Sequence, residues 1–221
     1  MDDKLIDLSH EVRANMVTYR GLPAPLICDF MSREESRSIY AHGTEFQIGK
    51  IEMVGNTGTY LDSPFHRFAD VKDLSEIRLE SLVNLDCVVV DARARNSRAI
   101  DRDRFENLDV KGKAVLVMTG WDAHWERDEY FEGHPHLTES AAQCLVERGA
   151  SLVGIDSLNI DSIDDGTRPV HTTLLGADVL IVEHMCNLAE LPAKGCRFFA
   201  APVKVVGFGT FPVRAFAIVP G

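Results

Sequence analysis

The sequence lacks any apolar run long enough to cross a membrane. A spanning helix needs about 20 consecutive apolar residues, and no segment of the 221 residues approaches that length. The first twelve residues, MDDKLIDLSHEV, begin with acids and have no apolar core of the kind found in signal peptides. The sequence therefore predicts neither a membrane span nor a secretion signal.

Positive charge is also scarce. Lys and Arg total 23 against 34 Asp and Glu, which gives a formal net charge of −11. Nucleic acids and anionic membranes are themselves negative, so an acidic protein is repelled by both. We therefore expect neither nucleic acid nor an anionic membrane as a partner.

Cysteines are few and show no paired spacing. The chain has five, an odd number, and none of them form a CxxC motif. The sequence therefore predicts neither a disulfide framework nor a thiolate zinc site. Free thiols are typical of a reducing compartment, which favours a cytoplasmic location.

No internal repeat, low-complexity tract or linker divides the chain, so a single domain over residues 1–221 is predicted. A chain of this length can bury a substantial core. The expected strands are 4–8, 84–92, 114–118, 152–155, 179–182, 200–206 and 213–219, and the expected helices are 139–148 and 170–175. Strands outnumber helices and partly alternate with them, which indicates an α/β fold with a mixed sheet.

Two segments in the first quarter of the chain have a different character. Residues 14–38 are punctuated by prolines and show no regular period, so we expect a long surface loop or lid there. Residues 46–53 alternate apolar and polar side chains, which predicts a half-buried strand. The loop is the expected determinant of substrate specificity.

The densest group of polar residues is the segment 56–66, NTGTYLDSPFH. Side chains alternate between two sides of an extended chain, so Asn56, Tyr60 and Asp62 point the same way. An amide, a phenol and a carboxylate then converge on one pocket, with His66 close behind. A strand-to-loop junction with capping residues explains the same pattern equally well, because Asn and Asp are common in turns.

A second polar pair lies far downstream. His171 lies at the start of a predicted short helix, and Glu183 follows the apolar run Val-Leu-Ile-Val. A carboxylate at the end of so apolar a strand is costly to bury unless it is paired or binds a metal. Taken alone, a solvent-facing acid and a capping histidine are the ordinary interpretations. The pair becomes informative only when it is joined to Asp62.

These residues resemble the pattern of the cyclase family, His-x-Gly-Thr-His-x-Asp-x-Pro-x-His, which is found in enzymes of the kynurenine formamidase type. The matching positions are Gly58, Thr59, Asp62, Pro64 and His66. The two leading histidines of the pattern are replaced by Asn56 and Tyr60. The resemblance extends over nearly the whole chain, through DLS at 7–9, TGW at 119–121, GHP at 133–135, LVGID at 152–156 and the spacing between His171 and Glu183.

The resemblance implies a fold and an activity. The fold is a swivelling β/β/α domain with a mixed central sheet, assembled as a homodimer or homotetramer. The activity is that of a metal-dependent amidohydrolase, arylformamidase-like and linked to tryptophan catabolism. Such an enzyme cleaves a non-peptide C–N bond in a formamide or cyclic amide, or opens a lactone.

The same resemblance assigns roles to the metal-binding residues. Asp62, His171 and Glu183 are implied as ligands, and Asn56 can offer a carbonyl oxygen to a hard ion. Both replaced histidines belong to one of the family's two metal sites. One divalent ion, Zn or Mn, or none, is therefore expected as the cofactor.

Catalysis and substrate binding are assigned in the same way. His66 is implied as the general acid/base, and Tyr60 can add a hydrogen bond to the oxyanion as a second catalytic group. The residues expected to contact the substrate are Tyr19, Phe65 and Trp121. Two alternatives stay open: a metal-free enzyme that uses Tyr60 and His66, and a non-catalytic member of the family that binds a small molecule.

Overall fold

The computed structural model describes residues 3–94 and 97–221, and its main feature is a nine-stranded sheet. The strands are β1 (Lys4–Asp7), β2 (Leu26–Met31), β3 (Ile48–Glu52), β4 (Tyr60–Asp62), β5 (Leu85–Asp91), β6 (Ala99–Ile100), β7 (Ala114–Met118), β8 (His136–Leu137), β9 (Leu152–Ile155), β10 (Leu180–Glu183), β11 (Lys194–Phe199), β12 (Thr210–Pro212) and β13 (Phe216–Val219). The helices are α1 (Arg33–Ser36), α2 (Glu139–Glu147) and α3 (Pro169–Gly176). The order across the large sheet is β1-β13-β11-β5-β7-β9-β10-β4-β12, and β2-β3 and β6-β8 form two small sheets.

Four parallel strands, β5, β7, β9 and β10, form the centre of the large sheet. Parallel strands are covered on both faces and are therefore apolar along their length. Val115, Leu116 and Val117 of β7 are fully buried in agreement with this rule. Antiparallel strands extend the sheet on both sides, with β11, β13 and β1 beyond β5, and β4 and β12 beyond β10. The predicted α/β fold with a mixed central sheet is confirmed.

The helices α2 and α3 cover one face of this sheet. Ala141 and Leu145 on α2 are fully buried there. The Thr138 hydroxyl accepts a hydrogen bond from the N–H of Ala141, and Gly149, with φ +78°, follows the helix end. Both features are common helix boundaries, and both predicted helices are confirmed. Within the described ranges, no helix is long and apolar enough to cross a bilayer.

The opposite face of the sheet packs into a second apolar cluster. Leu116 and Leu152 belong to this cluster, whereas their neighbours Val115 and Val153 belong to the cluster under the helices. This division follows from the two-residue period of a strand. The terminal strands β1, β11 and β13 contribute to the second cluster, so the chain ends help to close the core.

The segment predicted as an irregular lid contains regular structure. Within residues 14–38 the chain forms β2 and α1, and β2 pairs with β3 as an antiparallel hairpin. All five residues of β3 are exposed, so the prediction for residues 46–53 was right about the strand and wrong about its burial. Alternation detects a strand with two unlike faces, but it does not show whether anything covers the apolar one.

The late strands are displaced from their predicted positions. β11 ends at Phe199, so the strand predicted over 200–206 is wrong, and the one predicted over 213–219 begins only at Phe216. Val203 and Val206 are 60% and 81% exposed, so these apolar residues never enter the sheet. Pro202 lacks an N–H for a sheet hydrogen bond and pairs with Val213 only through an isolated bridge.

A disulfide corrects the prediction drawn from the cysteines. Cys87 on β5 and Cys196 on β11 occupy opposed positions of an antiparallel pair and are bonded to each other. The prediction that excluded disulfides was wrong for this pair. The two residues are 109 positions apart, and only the strand pairing makes them neighbours.

Candidate active site

A cavity of about 270 Å³ opens beside the carboxyl ends of β9 and β10. This volume lies just below the usual range for small-ligand pockets. Most of the side chains around it are polar or charged. The lining residues are Tyr19, Leu22, Asn56, Tyr60, His66, Arg67, Asn159, Arg168, His171 and Glu183.

The register of β4 brings the motif residues together. β4 lies between β10 and β12 and is antiparallel to both, so Tyr60 is opposite Glu183 and Asp62 is opposite Thr210. Opposed residues of antiparallel strands share one face of the sheet, and so do residues two apart on one strand. These four side chains therefore meet on the same face, as the alternation predicted for Tyr60 and Asp62.

Thr210 connects Asp62 with His66. The Thr210 hydroxyl donates to Oδ1 of Asp62, because an ionised carboxylate only accepts, and it lies 2.7 Å from Nδ1 of His66. A hydroxyl has one proton, so His66 must be the donor at Nδ1. The other ring nitrogen, Nε2, then carries a lone pair and can accept a proton.

Two glycines allow Thr210 to reach this position. A Cβ on Gly209 would lie 2.5 Å from the backbone nitrogen of His66, and a Cβ on Gly55 would lie 2.4 Å from the carbonyl oxygen of Thr210. Both distances are far below van der Waals contact. A side chain at Gly209 would therefore force β12 away from the segment that carries His66, and a side chain at Gly55 would displace the backbone of Thr210.

A carboxylate also fixes His171. Nδ1 of His171 lies 2.6 Å from Oδ2 of Asp161, which also accepts the backbone N–H of His171. The ring therefore donates from Nδ1, and Nε2 faces Oδ2 of Asp62 and Oε1 of Glu183, each 3.7 Å away. Histidines that bind metals are commonly oriented by a carboxylate in this way.

The donor set fits a divalent cation. Oδ2 of Asp62 is buried and has no hydrogen-bond partner among residues 3–94 and 97–221, which is costly for a charged oxygen. The 3.7 Å separations are too long for hydrogen bonds. They are close to the about 3.4 Å expected between two ligands of a tetrahedral zinc ion with bonds of about 2.1 Å.

Two residues compete for the place of third ligand. Glu183 faces His171, although its Oε1 also accepts the N–H of Ile160 at 2.6 Å. Ligand-type atoms of Asp62, His66 and His171 lie within 4.8 Å of one another, which makes His66 the alternative. His66 would bind through Nε2, because its Nδ1 is engaged by Thr210, whereas Glu183 would bind through the carboxylate that faces Nε2 of His171.

Burial and charge compete at His171 and its partners. Three carboxylates surround its imidazole: Glu183, Asp161 and Asp62. Burial opposes the imidazolium, but the carboxylates outweigh it and raise the pKa of His171 to about 10. Burial also opposes ionisation of Asp62, yet the neighbouring imidazoles hold the pKa of that carboxyl below its ordinary value. Burial raises the pKa of Glu183. Positive charge is therefore strongly favoured here, as a metal site requires.

A chain of hydrogen bonds fills the space around Tyr60, one of the two replaced motif positions. The Tyr60 hydroxyl donates to Oε2 of Glu183 at 2.6 Å and lies 3.3 Å from Nε2 of His184. Nδ1 of His184 lies 2.8 Å from the Tyr130 hydroxyl. Since the proton of Tyr60 goes to the carboxylate, His184 donates from Nε2 and accepts from Tyr130 at Nδ1. Every donor in the chain points toward Glu183.

This chain of hydrogen bonds is neutral up to the carboxylate. Burial lowers the pKa of His184 to about 3 and raises the pKa of both Tyr60 and Tyr130 well above the ordinary value. Both nitrogens of His184 are occupied. This side of the site therefore offers no imidazole lone pair to a cation.

Most of the predicted site residues lie in or against the cavity, and two of them do not line it. The cavity is lined by Tyr19, Asn56, Tyr60, His66, His171 and Glu183, and Asp62 lies against His66 and His171. Phe65 and Trp121 are not among the lining residues. Phe65 is 36% exposed, and Nε1 of Trp121 donates to the carbonyl of Tyr130 at 3.0 Å.

Several residues of the site were missed from the sequence. Asp161 could have been found from the sequence. The segment Asn159-Ile-Asp161 places two polar side chains shortly after a buried strand, and the carboxyl ends of parallel strands meet at one edge of a sheet. His184 could have been found too, since it directly follows Glu183. Thr210 could not, because it lies 148 positions from Asp62 and meets it only through the strand pairing.

Comparison with known proteins gives a consistent picture. Residues 6–162 match the profile of the Cyclase family. A kynurenine formamidase of Bacillus cereus is 28% identical over 211 residues, which cover 95% of each chain. A kynurenine formamidase of Bacillus anthracis is 26% identical over 213 residues, which cover 96% of each chain.

Solved structures share the fold. Isatin hydrolase A from Labrenzia aggregata, bound to benzyl benzoate, superposes with a TM-score of 0.84 at 23% identity, over 99% of this chain and 94% of the other. A protein described as a potential metal-dependent hydrolase with cyclase activity superposes with a TM-score of 0.80 at 27% identity, over all of both chains.

Proposed function

Because this chain belongs to the cyclase family, we propose that it hydrolyses a non-peptide C–N bond in a formamide or cyclic amide, or opens a lactone. The observation that carries the proposal is the orientation of His171 by Asp161, which aims its second nitrogen at two buried carboxylates. The relatives named kynurenine formamidase support an amidohydrolase of the arylformamidase type, with a role in tryptophan catabolism.

The proposed cofactor is one divalent ion, Zn²⁺ or Mn²⁺. The residues that would hold it are Asp62, His171, Glu183 and Asn56, all in or directly against the cavity. Such an ion lowers the pKa of water and polarises the carbonyl group of a substrate. Two carboxylates and one imidazole leave room for water and substrate, as catalytic sites require.

His66 moves the proton in this proposal. Its Nδ1–H is fixed by Thr210, so Nε2 takes a proton from the attacking water while the new C–O bond forms. The imidazolium then returns the proton to the leaving nitrogen as the C–N bond breaks. Asp62 stabilises the imidazolium through Thr210. Positioned acid/base catalysis of this kind accelerates hydrolysis about 10²- to 10⁴-fold.

Tyr60 is proposed as the second catalytic group. Its hydroxyl donates a hydrogen bond to Glu183. Tyr60 can therefore donate to an oxyanion only after it releases Glu183. In the metal-free alternative, Tyr60 and His66 carry the chemistry alone. In the non-catalytic alternative, the same cavity only binds a small molecule.

The remaining proposals concern assembly and location. We propose a single domain over residues 1–221 and a homodimer or homotetramer, because the hairpin of β2 and β3 exposes apolar side chains such as Leu26 (55%), Phe30 (75%) and Ile51 (56%). A cytoplasmic location is also proposed.

The proposal is tested by elemental analysis combined with a substrate screen. N-formyl aromatic amines, cyclic imides and lactones are the substrates, and Asp62→Ala is the variant. We expect about one metal equivalent per wild-type chain, with both metal and hydrolysis lost in Asp62→Ala. Hydrolysis that is unchanged by a chelator would favour the metal-free enzyme. Specific binding without turnover would favour the non-catalytic protein.

A further inference from the structure

One phenol in the cavity wall has a proton that no other group of the site uses. Tyr19 lines the cavity, and its hydroxyl is buried without a hydrogen-bond partner among residues 3–94 and 97–221. A buried hydroxyl that stays unpaired lowers the stability of a protein. Folding therefore gains nothing from this hydroxyl, which makes it a candidate for a group that finds its partner in a bound molecule.

The side chains that face the Tyr19 hydroxyl are themselves hydrogen-bond donors. They are Arg168 and Asn159. Oδ1 of Asn159 accepts the N–H of Asp161 at 2.9 Å, so its amide presents Nδ2, which only donates. A guanidinium has no acceptor either. The Tyr19 oxygen can therefore accept from these neighbours, but neither of them can accept its proton.

The carboxylate on the same cavity is already engaged. Oε2 of Glu183 accepts from the Tyr60 hydroxyl, and Oε1 accepts from the N–H of Ile160, both at 2.6 Å. Burial and the charge of Glu183 raise the pKa of Tyr19 above its ordinary value of 10, so the phenol stays protonated. The two tyrosines of the cavity thus differ, because Tyr60 donates to Glu183 and Tyr19 keeps its proton for a ligand.

The backbone holds Tyr19 beside the motif segment. The hydroxyl of Thr18 accepts the N–H of Gly58 at 2.9 Å, and the carbonyl of Tyr19 accepts the N–H of Leu22 at 3.2 Å. The Tyr19 ring lies edge-on to the ring of His184, with their centroids 6.2 Å apart. A donor that is fixed in this way needs no rearrangement when negative charge develops next to it.

We propose that Tyr19 is a catalytic residue that donates a hydrogen bond to the oxyanion formed during hydrolysis. The inference rests on the proposed hydrolysis and adds a residue that stabilises its charge. As the water oxygen bonds to the carbonyl carbon, the electron pair of the C=O double bond moves onto the carbonyl oxygen. Tyr19 stabilises that oxygen without giving up its proton, and the pair returns when the C–N bond breaks. The positive charge of Arg168 beside the phenol strengthens it as a donor.

Tyr19→Phe tests this inference, because it removes the hydroxyl and keeps the ring. We expect kcat of the metal-loaded enzyme for formanilide to fall about 10²- to 10³-fold, as for other oxyanion donors, with KM changed less than about twofold. The melting temperature should stay equal or rise, since the unpaired hydroxyl stabilises nothing. Tyr40→Phe, at an exposed tyrosine, is the control and should change neither constant. A raised KM at unchanged kcat would overturn the inference.

Phenylboronic acid separates this inference from the proposed hydrolysis. It has no scissile bond and forms a tetrahedral anion when its boron takes up hydroxide, whereas benzamide stays planar and neutral. In calorimetric titrations, Tyr19→Phe should weaken phenylboronic acid about tenfold or more and change benzamide less than about twofold. This result supports Tyr19 as the oxyanion donor even if formanilide is not cleaved, and then only the proposed hydrolysis fails. Equal affinity of the wild type and Tyr19→Phe for phenylboronic acid, or no binding of it by the wild type, overturns the inference.

Discussion

Two buried histidines on opposite sides of Glu183 behave in opposite ways. His171 is surrounded by carboxylates, and its pKa is raised to about 10, whereas burial lowers the pKa of His184 to about 3. Only one nitrogen of His171 is hydrogen-bonded, but both nitrogens of His184 are. The His171 side of the site therefore favours a cation, whereas the His184 side offers a cation no imidazole lone pair.

The difference is the basis for our proposal that this chain holds one metal ion where the family pattern implies two. The motif positions that carry histidines in the family pattern are Asn56 and Tyr60 here. The Tyr60 hydroxyl donates a hydrogen bond to Oε2 of Glu183, and His184 donates one to the Tyr60 oxygen. Neutral hydrogen bonds thus satisfy groups that would otherwise need positive charge, while the proposed ligands around His171 match the family pattern.

His66→Ala has the largest expected effect, and it distinguishes a proton-transfer role of His66 from a role as metal ligand. We expect kcat to fall about 10²- to 10⁴-fold because the proton acceptor is lost. Metal content should stay at the wild-type level, since Asp62, His171 and Glu183 remain. His42→Ala, at an exposed histidine, is the control and should retain full activity. Loss of the metal in His66→Ala would make His66 a ligand in place of Glu183.

Asp161→Asn is expected to weaken metal binding at His171, because Asp161 orients the His171 ring. The neutral amide of asparagine is a weaker acceptor than the carboxylate for the N–H at Nδ1 of His171. The tautomer that keeps a lone pair on Nε2 is therefore less strongly favoured. We expect metal affinity to fall about 10- to 100-fold, as for other partners of metal-binding histidines. Calorimetric titration of the apoprotein measures it, with Asp164→Asn in the same loop as control. An unchanged dissociation constant would show that Asp161 does not prepare His171 for a cation.

The pH dependence of stability sharpens the comparison, because the two histidines act in opposite directions. Below its unfolded pKa of 6.5, His184 takes up a proton in the unfolded chain first, so stability is lost as the pH falls toward 3. Metal-free His171 holds its proton more tightly when folded, so stability is lost as the pH rises from 6.5 toward 10. Each effect has a slope of at most about 1.4 kcal/mol per pH unit.

Urea denaturation between pH 4 and 10 measures both effects. A metal ion displaces the proton of His171, so saturating Zn²⁺ should flatten the alkaline side. It should also steepen the acid side, because only the unfolded chain then takes up a proton at His171 below pH 6.5. The buried His10 and His134, whose pKa values are lowered to about 4, add to the acid side. An alkaline side that Zn²⁺ does not alter would argue against binding at His171.

Tyr130→Phe has the smallest expected effect and acts on the His184 side alone. It leaves Nδ1 of His184 without its donor, and an unsatisfied buried acceptor costs about 1–3 kcal/mol. We expect the free energy of unfolding to fall by that amount and the metal content to stay unchanged. Tyr40→Phe, at an exposed tyrosine, should be neutral. A loss of metal in Tyr130→Phe would show that the two sides are coupled.

The sequence predicted the parts of this site that follow from local pattern. Apolar runs identified β5, β7 and β9, and the two-residue period placed Tyr60 and Asp62 on one face. Thr210 and the Cys87–Cys196 bond escaped prediction, because both depend on strand pairing between distant segments. The exposure of β3 escaped prediction, although its strand was predicted, because an apolar alternation does not reveal what covers it. His184 was visible beside Glu183, but its role depends on hydrogen-bond directions that only the fold defines.

Metal stoichiometry tests the central claim most directly. The apoprotein and the double variant Asn56→His/Tyr60→His would be titrated with Zn²⁺ and with Mn²⁺, and bound metal counted by elemental analysis. We predict one equivalent for the wild type, and two for the variant, whose new imidazoles reopen the second site. Two equivalents in the wild type, or none, would contradict the one-metal site.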